Sequence, residues 1–222
     1  MRGRFITFEG GEGVGKSTQA AALARKLSAF GIATVLTREP GGSPGAELIR
    51  NILLSGMAKS LGPEAEAMLF AAARGDHLDA VIRPNLATGK WVVCDRFSDS
   101  TRVYQGALGN VSRGLLRALE RTVVGDDMPD LTFILDLPAE IGLERARERR
   151  GGATADRFEN EDIAYHQALN LAFRDLANEE SRRCLLVDAN RSADKIAAEI
   201  WRHVRTRLHP ETAPLSLEEI TG

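Results

Sequence analysis

Short apolar runs alternate with longer amphipathic stretches along most of this chain. Five runs are predicted to be strands: Arg4–Glu9, Thr34–Arg38, Trp91–Asp95, Leu131–Leu137 and Cys184–Asp188. They are rich in β-branched residues and apolar at successive positions, which is typical of strands buried on both faces of a parallel sheet.

Helical patterns occupy most of the chain between these strands. The predicted helices are Lys16–Phe30, Ala46–Leu54, Pro63–Leu86, Arg113–Val124, Glu140–Arg150, Ile163–Glu179 and Ser192–Leu208. This alternation favours a doubly wound α/β fold with a five-stranded parallel sheet flanked by helices. Ligands of such sheets bind beyond the carboxyl ends of the strands, so functional residues are expected just after each strand.

Composition and charge narrow the class of protein. The 222 residues carry a formal net charge of -2, which gives no global basic field for nucleic acid. We expect one domain over residues 1–209 and a loosely packed tail over 210–222. No apolar stretch approaches the length of a membrane span, and two cysteines in predicted strands indicate buried free thiols. These features predict a cytoplasmic protein without a membrane partner.

A phosphate-binding loop follows the first predicted strand and opens the first predicted helix. Its sequence, Gly10-Gly11-Glu12-Gly13-Val14-Gly15-Lys16-Ser17, fits the pattern G-x-x-x-x-G-K-[ST]. Glycines let backbone N–H groups point at phosphate oxygens, and the helix N-terminus adds partial positive charge. We expect Lys16 to reach the β- and γ-phosphates of ATP and Ser17 to ligate Mg²⁺. The predicted fold is therefore the three-layer fold of P-loop NTPases, with residues 10–17 and Thr18 binding ATP.

Charged residues also follow the second and third predicted strands. Asp95 can hold the metal or its waters, and Arg96 can fork onto a phosphate, although a surface ion pair is the alternative. Glu39 lies in Thr37-Arg38-Glu39-Pro40-Gly41-Gly42, and Arg50 follows on a short helix, where a solvated arginine is the alternative.

Phe70 and Arg74 are spaced to share one helix face, with three alanines between them. A flat ring beside a guanidinium suits a nucleobase, which can stack on the first and accept a hydrogen bond from the second. The alternative is a core phenylalanine with a surface arginine.

A basic helix end precedes a segment rich in small residues, Gly151–Ala155, and then Asp156-Arg157-Phe158-Glu159. Arg145 and Arg149 share a face there, and Arg150 lies beside them. A basic flap near a phosphate loop can close on polyphosphate and supply an arginine to the transferred group. We therefore predict a lid over about residues 145–158, against the alternative of a solvated helix end.

Taken together, these segments resemble thymidylate kinases of the bacterial type. The matching motifs are Phe8-Glu9-Gly10 into the phosphate loop, Thr37–Gly42, Leu69–Arg74, Asp95–Phe97 through Ser100-Thr101 to Tyr104-Gln105-Gly106, and Asp156–Glu159, in the family's order. The resemblance runs from Phe5 to about Leu208. It implies transfer of the γ-phosphate of ATP to dTMP with Mg²⁺, and a homodimer.

The resemblance also implies roles for individual positions. The catalytic residues would be Lys16, Arg96, Arg149 and Arg150, and Arg145 would bind ATP. The lid arginines Arg149 and Arg150 are included because the phosphate loop carries no arginine. Phe70 would stack on thymine and Arg74 would contact its O4 edge, with Thr101 and Gln105 completing the base pocket. The remaining dTMP contacts would be Glu9 near the sugar and metal waters, Tyr104 under the sugar, Arg50 and Arg96 on the phosphate, and Glu39.

Three other functions are compatible with a phosphate-binding loop. A deoxynucleoside kinase would need a base near the 5′-hydroxyl, and the arginines around the acceptor site favour a phosphorylated acceptor instead. Another nucleoside monophosphate kinase stays open. A GTPase-type switch would need an Asn-Lys-x-Asp loop, and the sequence contains none.

Overall fold

Five parallel strands form a single sheet in the computed structural model, which describes residues 2–151 and 158–210. The strands are β1 Phe5–Glu9, β2 Thr34–Arg38, β3 Trp91–Asp95, β4 Leu131–Asp136 and β5 Cys184–Asp188, in the order β2-β3-β1-β4-β5. All four strand pairings are parallel. The predicted sheet is confirmed, except that Arg4 and Leu137 lie outside the strands to which they were assigned.

Helices cover both faces of this sheet. They are α1 Lys16–Ala29, α2 Pro44–Leu54, α3 Pro63–His77, α4 Arg83–Ala87, α5 Ser98–Thr101, α6 Arg113–Val123, α7 Ala139–Arg150, α8 Ile163–Glu179 and α9 Ala193–Leu208. Three shorter segments were not predicted: α5, a 3₁₀ helix at Met57–Leu61 and a π-helix at Arg102–Leu108.

The helix predicted over Pro63–Leu86 is divided. A π-helical turn, Leu78–Ile82, separates α3 from α4. Pro84 explains the change, because its ring excludes the carbonyl four residues earlier and its nitrogen has no proton to donate. A widened turn just before it accommodates this without ending the helix.

Side chains of alternate strand residues enter two cores. Ile6 and Phe8 pack on one face with Leu27 of α1 and Ile200 of α9, whereas Phe5 packs on the other face. All five of these side chains are fully or almost fully buried. Burial on both faces accounts for the continuously apolar strands β1, β3 and β4. The edge strands β2 and β5 depart from this prediction, since each has a single neighbouring strand and carries a half-exposed leucine, Leu36 or Leu186.

Some predictions fall on residues that the structure does not describe. Residues 152–157 of the predicted lid, with Asp156 and Arg157, lie outside the described ranges, as do residues 211–222 of the predicted tail. Cys94 and Cys184 are buried free thiols, as predicted. Within residues 2–151 and 158–210, no helix is long and apolar enough to cross a membrane.

Candidate active site

A cavity of about 240 Å³ opens at the carboxyl ends of the central strands, beside the phosphate loop. Most of the predicted site residues line it. They are Glu12, Gly13, Gly15, Lys16, Ser17, Glu39, Arg50, Phe70, Arg74, Asp95, Arg96, Thr101, Tyr104, Gln105 and Arg149. Side chains from five separate chain segments therefore meet at one place.

The phosphate loop depends on glycines that have no room for a side chain. Gly10 has φ 129°, and a Cβ there would lie 2.4 Å from the carbonyl oxygen of Leu135. Gly13 has φ 65°, and its Cβ would lie 1.8 Å from the carbonyl oxygen of Gly142 in α7. Glycine is required on both grounds, conformation and space. The loop consequently packs directly on the backbone of α7.

Lys16 closes the loop from within. Its Nζ donates to the carbonyl oxygens of Gly10 at 3.2 Å and Gly11 at 2.5 Å, and its side chain is buried. Burial, and then the nearby Arg96 guanidinium, lower the pKa of Lys16 to about 8. An anionic phosphate in the loop would favour the charged ammonium.

Ser17 and Asp95 form a pair that fits magnesium. The Ser17 hydroxyl donates to Oδ2 of Asp95, whereas Oδ1 of Asp95 is inaccessible to solvent and accepts no hydrogen bond within the described residues. An orphaned carboxylate oxygen beside a hydroxyl is the hard oxygen donor set that Mg²⁺ prefers. The described residues contain no cluster of three or more His, Cys, Asp or Glu side chains suited to a metal.

Arg96 turns back toward the phosphate loop. It has φ 70°, and Nη2 donates to Oε1 of Glu12 at 2.5 Å while Nη1 donates to the Gly10 carbonyl at 3.1 Å. Tyr104 donates to the same Glu12 oxygen at 3.0 Å. Burial opposes ionisation of Glu12, but the charges of Arg96 and Lys16 outweigh it and lower its pKa to about 2. Glu12 was assigned to ATP binding from the loop pattern alone, and its pairing with Arg96 was not predicted.

Glu9 lies fully buried at the end of β1. Oε1 accepts from the backbone N–H of Phe97 at 2.7 Å, and Oε2 accepts from the Ser100 hydroxyl at 2.6 Å. Burial, with a further contribution from the negative charge of Asp99, raises the pKa of Glu9 to about 7. The hydrogen bonds and Arg96 oppose this rise without cancelling it.

Arg74 lies buried in the wall of the cavity. Its Nε donates to Oε2 of Glu39 at 2.8 Å, and Nη2 donates to the Thr101 hydroxyl at 3.2 Å. The guanidinium carbon stands 5.1 Å from the centre of the Phe97 ring. Arg74 is therefore neither solvated nor incidental, which rejects the surface-arginine alternative.

The other end of the cavity wall is aromatic. Phe70 is half-buried, and its ring centre lies 6.5 Å from that of Phe158, which in turn meets Tyr104 edge-on at 5.3 Å. Arg50 donates to the Pro40 carbonyl at 2.6 Å, and this hydrogen bond holds the arginine side chain against the turn after β2. The buried side chain of Gln105 completes this wall.

The three arginines of α7 that were predicted to belong to the site have different surroundings. Arg149 lines the cavity and is the most exposed, at 63%, with Nη2 3.5 Å from Glu159. Arg150 pairs more closely with the same carboxylate, at 2.5 Å, and is 23% exposed. Arg145 donates to the carbonyl of Ala189 at 3.4 Å, just after β5.

Seven predicted site residues do not line the cavity: Glu9, Gly10, Gly11, Val14, Thr18, Arg145 and Arg150. Glu9 lies behind the wall of the cavity, whereas Gly10, Gly11 and Val14 contribute to the backbone of the phosphate loop. Sequence reasoning missed His77, which lies three residues after Arg74 on α3 and hydrogen-bonds Glu39. The same spacing rule that joined Phe70 to Arg74 could have found it.

Comparison with known proteins agrees with this geometry. Residues 8–200 match the family described as Thymidylate kinase. Proteins named Thymidylate kinase from Bradyrhizobium diazoefficiens and Nitrobacter hamburgensis are 59% identical over 212 residues and 58% identical over 208. The first alignment covers 96% of this chain and 93% of the relative, and the second covers 94% and 90%. The crystal structure of thymidylate kinase from Ehrlichia chaffeensis is similar with a TM-score of 0.74 and 32% identity, over 92% of this chain and all of that one (100%). The chain belongs to the thymidylate kinase family.

Proposed function

We propose that the cavity is the dTMP site of this enzyme and that the phosphate loop beside it holds ATP. As a thymidylate kinase, the enzyme transfers the γ-phosphate of ATP to dTMP and releases dTDP and ADP. One observation carries the assignment of the site: a buried arginine, Arg74, faces a cavity that also contains a half-buried ring and that is continuous with the phosphate loop.

The acceptor base would lie between Phe70 and Arg74. Phe70 offers a face for stacking, and the contacts of Arg74 with Glu39 and Thr101 use Nε and Nη2, which leaves Nη1 for a ligand. A pyrimidine carbonyl can accept from this guanidinium. Gln105, Thr101 and Tyr104 line the pocket, and Tyr104 would lie beneath the sugar.

The acceptor phosphate would be held by Arg50 and Arg96 next to the loop. No general base is required, because a phosphate monoester is already an oxyanion nucleophile near neutral pH. The protein's task is to bring two polyanions together and to stabilise the charge that spreads over the transferred group.

The donor site would be built by residues 10–18, with Arg145 near the loop after β5. Ser17 and Asp95 would hold Mg²⁺, which would neutralise part of the charge on the phosphates of ATP when bound. Lys16 would approach the β- and γ-phosphates. Arg149 is the arginine of α7 best placed for the transferred phosphoryl group, since it reaches the cavity, and Arg150 is the second candidate.

A coupled assay with Mg·ATP and a panel of acceptors tests this assignment. We expect dTMP to be the best of dTMP, dUMP, dCMP, dGMP, UMP and AMP. Comparable turnover of a purine monophosphate would contradict the pyrimidine pocket formed by Phe70 and Arg74.

We also propose that the enzyme is a cytoplasmic homodimer. Five large apolar side chains are exposed on α2, the 3₁₀ helix and α3: Leu48 (70%), Ile52 (37%), Met57 (64%), Leu61 (63%) and Met68 (50%). α2 and α3 pack on each other and on the 3₁₀ helix, so these side chains lie on neighbouring elements, and we infer that they form one apolar face that a second copy would bury. In sedimentation velocity, Met68→Glu should yield a monomer, whereas Leu171→Glu, a 57% exposed leucine on α8, should leave a dimer. A monomeric parent protein would reject the proposal.

A further inference from the structure

The histidine His77 lies behind the wall of the acceptor pocket and does not itself line the cavity. His77 ends α3, is fully buried, and bridges Thr37 in β2 and Glu39 just after that strand. Its Nδ1 lies 3.0 Å from Oε1 of Glu39, and its Nε2 lies 2.7 Å from the hydroxyl oxygen of Thr37. These contacts link α3 to the loop that carries Glu39.

Glu39 uses both of its carboxylate oxygens. Oε2 accepts from Nε of Arg74, and Oε1 faces His77. A carboxylate paired with arginine only accepts hydrogen bonds, so Nδ1 of His77 carries a proton and donates to Oε1. Nε2 and the Thr37 hydroxyl share a second hydrogen bond. The ring orientation is thus fixed by hydrogen bonds at both nitrogens.

Space around the ring is equally restricted. A Cβ on Gly42 would lie 2.6 Å from Nε2 of His77 and 2.6 Å from Oγ1 of Thr37. Gly42 has φ 88°, so the chain turns tightly around the imidazole. The ring therefore cannot rotate without moving the turn that follows Glu39.

Arg74 depends on this arrangement for its direction. Its Nε contact with Glu39 sets the plane of the guanidinium, and its Nη2 contact with Thr101 sets the rotation within that plane. If Oε1 of Glu39 lost its donor, the carboxylate could turn about its terminal bond, and Arg74 would follow it.

We propose that His77 is a positioning residue that holds Arg74, through Glu39, aimed at the acceptor base. It would thereby help the enzyme select a pyrimidine with a carbonyl acceptor at position 4 over one with an amino group. The inference rests on the proposed role of Arg74 in binding the base. A misplaced guanidinium would discriminate poorly, because neither base would find a well-aligned donor.

Steady-state kinetics of three variants test the proposal. His77→Leu removes both hydrogen bonds, His77→Asn keeps a donor near the position of Nδ1, and Thr37→Val removes only the contact at Nε2. We expect His77→Leu to raise the KM for dTMP about tenfold or more, and to lower the dTMP-to-dCMP ratio of kcat/KM by a similar factor. The KM for ATP should change less than about twofold. His77→Asn should restore most of the selectivity, and Thr37→Val should lose a smaller part of it.

Two comparisons separate this role from a merely structural one. Ile200→Ala truncates a buried side chain on α9, away from the cavity, and should lower the Tm without changing the dTMP-to-dCMP ratio. In the double variant Arg74→Ala/His77→Leu, the selectivity loss should equal that of Arg74→Ala alone, because His77 acts through Arg74.

Three outcomes would overturn the proposal: an unchanged ratio in His77→Leu, a loss that His77→Asn does not rescue, or additive losses in the double variant. If Arg74→Ala itself left the use of dTMP unchanged, the proposed base contact would fail as well. A loss in Arg74→Ala without one in His77→Leu would reject the positioning role only.

Discussion

Replacing Glu9 by glutamine should make the enzyme more stable at neutral pH and leave it little changed at acidic pH. The side chain is fully buried, and burial raises its pKa from 4.5 to about 7. The substituted amide can keep the existing geometry. Its oxygen can accept from the Phe97 N–H, and its NH₂ group can donate to the Ser100 hydroxyl, which is free to reverse its role.

The size of the effect follows from the linkage between proton binding and unfolding. Between pH 4.5 and about 7 the unfolded chain releases the Glu9 proton while the folded protein retains it. The contribution of Glu9 to the free energy of unfolding is therefore fully present below pH 4.5 and is lost as the pH rises to about 7. At about 1.4 kcal/mol per pKa unit, the loss amounts to about 3 kcal/mol, which the glutamine variant would not suffer.

Urea unfolding of both proteins without substrates, from about pH 5 to about pH 8, measures this difference directly. The unfolding free energy of Glu9→Gln minus that of the parent should grow with pH by most of this amount. Glu144→Gln, an exposed position on α7, is the matched control and should show a flat difference. A flat difference for Glu9→Gln too would refute the reasoning, since Glu9 would then ionise alike in both states.

Three further predictions concern the transfer itself. Lys16→Ala should abolish turnover while calorimetry still detects dTMP binding, because Lys16 serves the donor side; loss of dTMP binding in the folded variant would contradict this. Thymidine should be phosphorylated far more slowly than dTMP, because it lacks the phosphate that Arg50 and Arg96 would bind. Rapid turnover of thymidine in the same coupled assay would favour a nucleoside kinase. Arg149→Ala should lower kcat on the order of 10³-fold with a modest change in the KM for dTMP, since it would meet the transferred group mainly in the transition state. Normal kcat in Arg149→Ala and Arg150→Ala alike would reject a catalytic arginine in α7.

The local patterns in the sequence were sufficient to predict the sheet and the phosphate loop. Buried parallel strands are apolar at successive positions, and the loop has a fixed spacing of glycines before Lys16, so both signals lie within a few residues. The division of the helix over Pro63–Leu86 was not predicted, because the pattern stays amphipathic through Pro84.

Contacts between distant segments were the part that the sequence could not supply. His77 and Glu39 are 38 residues apart, and Arg96 and Glu12 are 84 apart, so no local period relates them. The fold brings Arg96 to Glu12 because β3 and β1 are neighbours and end at the same edge of the sheet, whereas α3 carries His77 to the loop after β2. The individual roles of the site residues, and the extent of the lid and tail, stay predictions.

The contact between Gly13 and Gly142 has a mechanical consequence. With no side chain between them, the phosphate loop and α7 meet backbone to backbone, so a shift of the loop would be passed directly to the helix. Arg149 lies seven residues farther along the helix, on an arm of about 10 Å. Rotation of the helix by about 10° would move that end by about 2 Å, the difference between a solvated contact and a direct hydrogen bond. A small adjustment of the loop around a phosphate would thus produce a larger displacement at the end of α7, which carries Arg149 and Arg150.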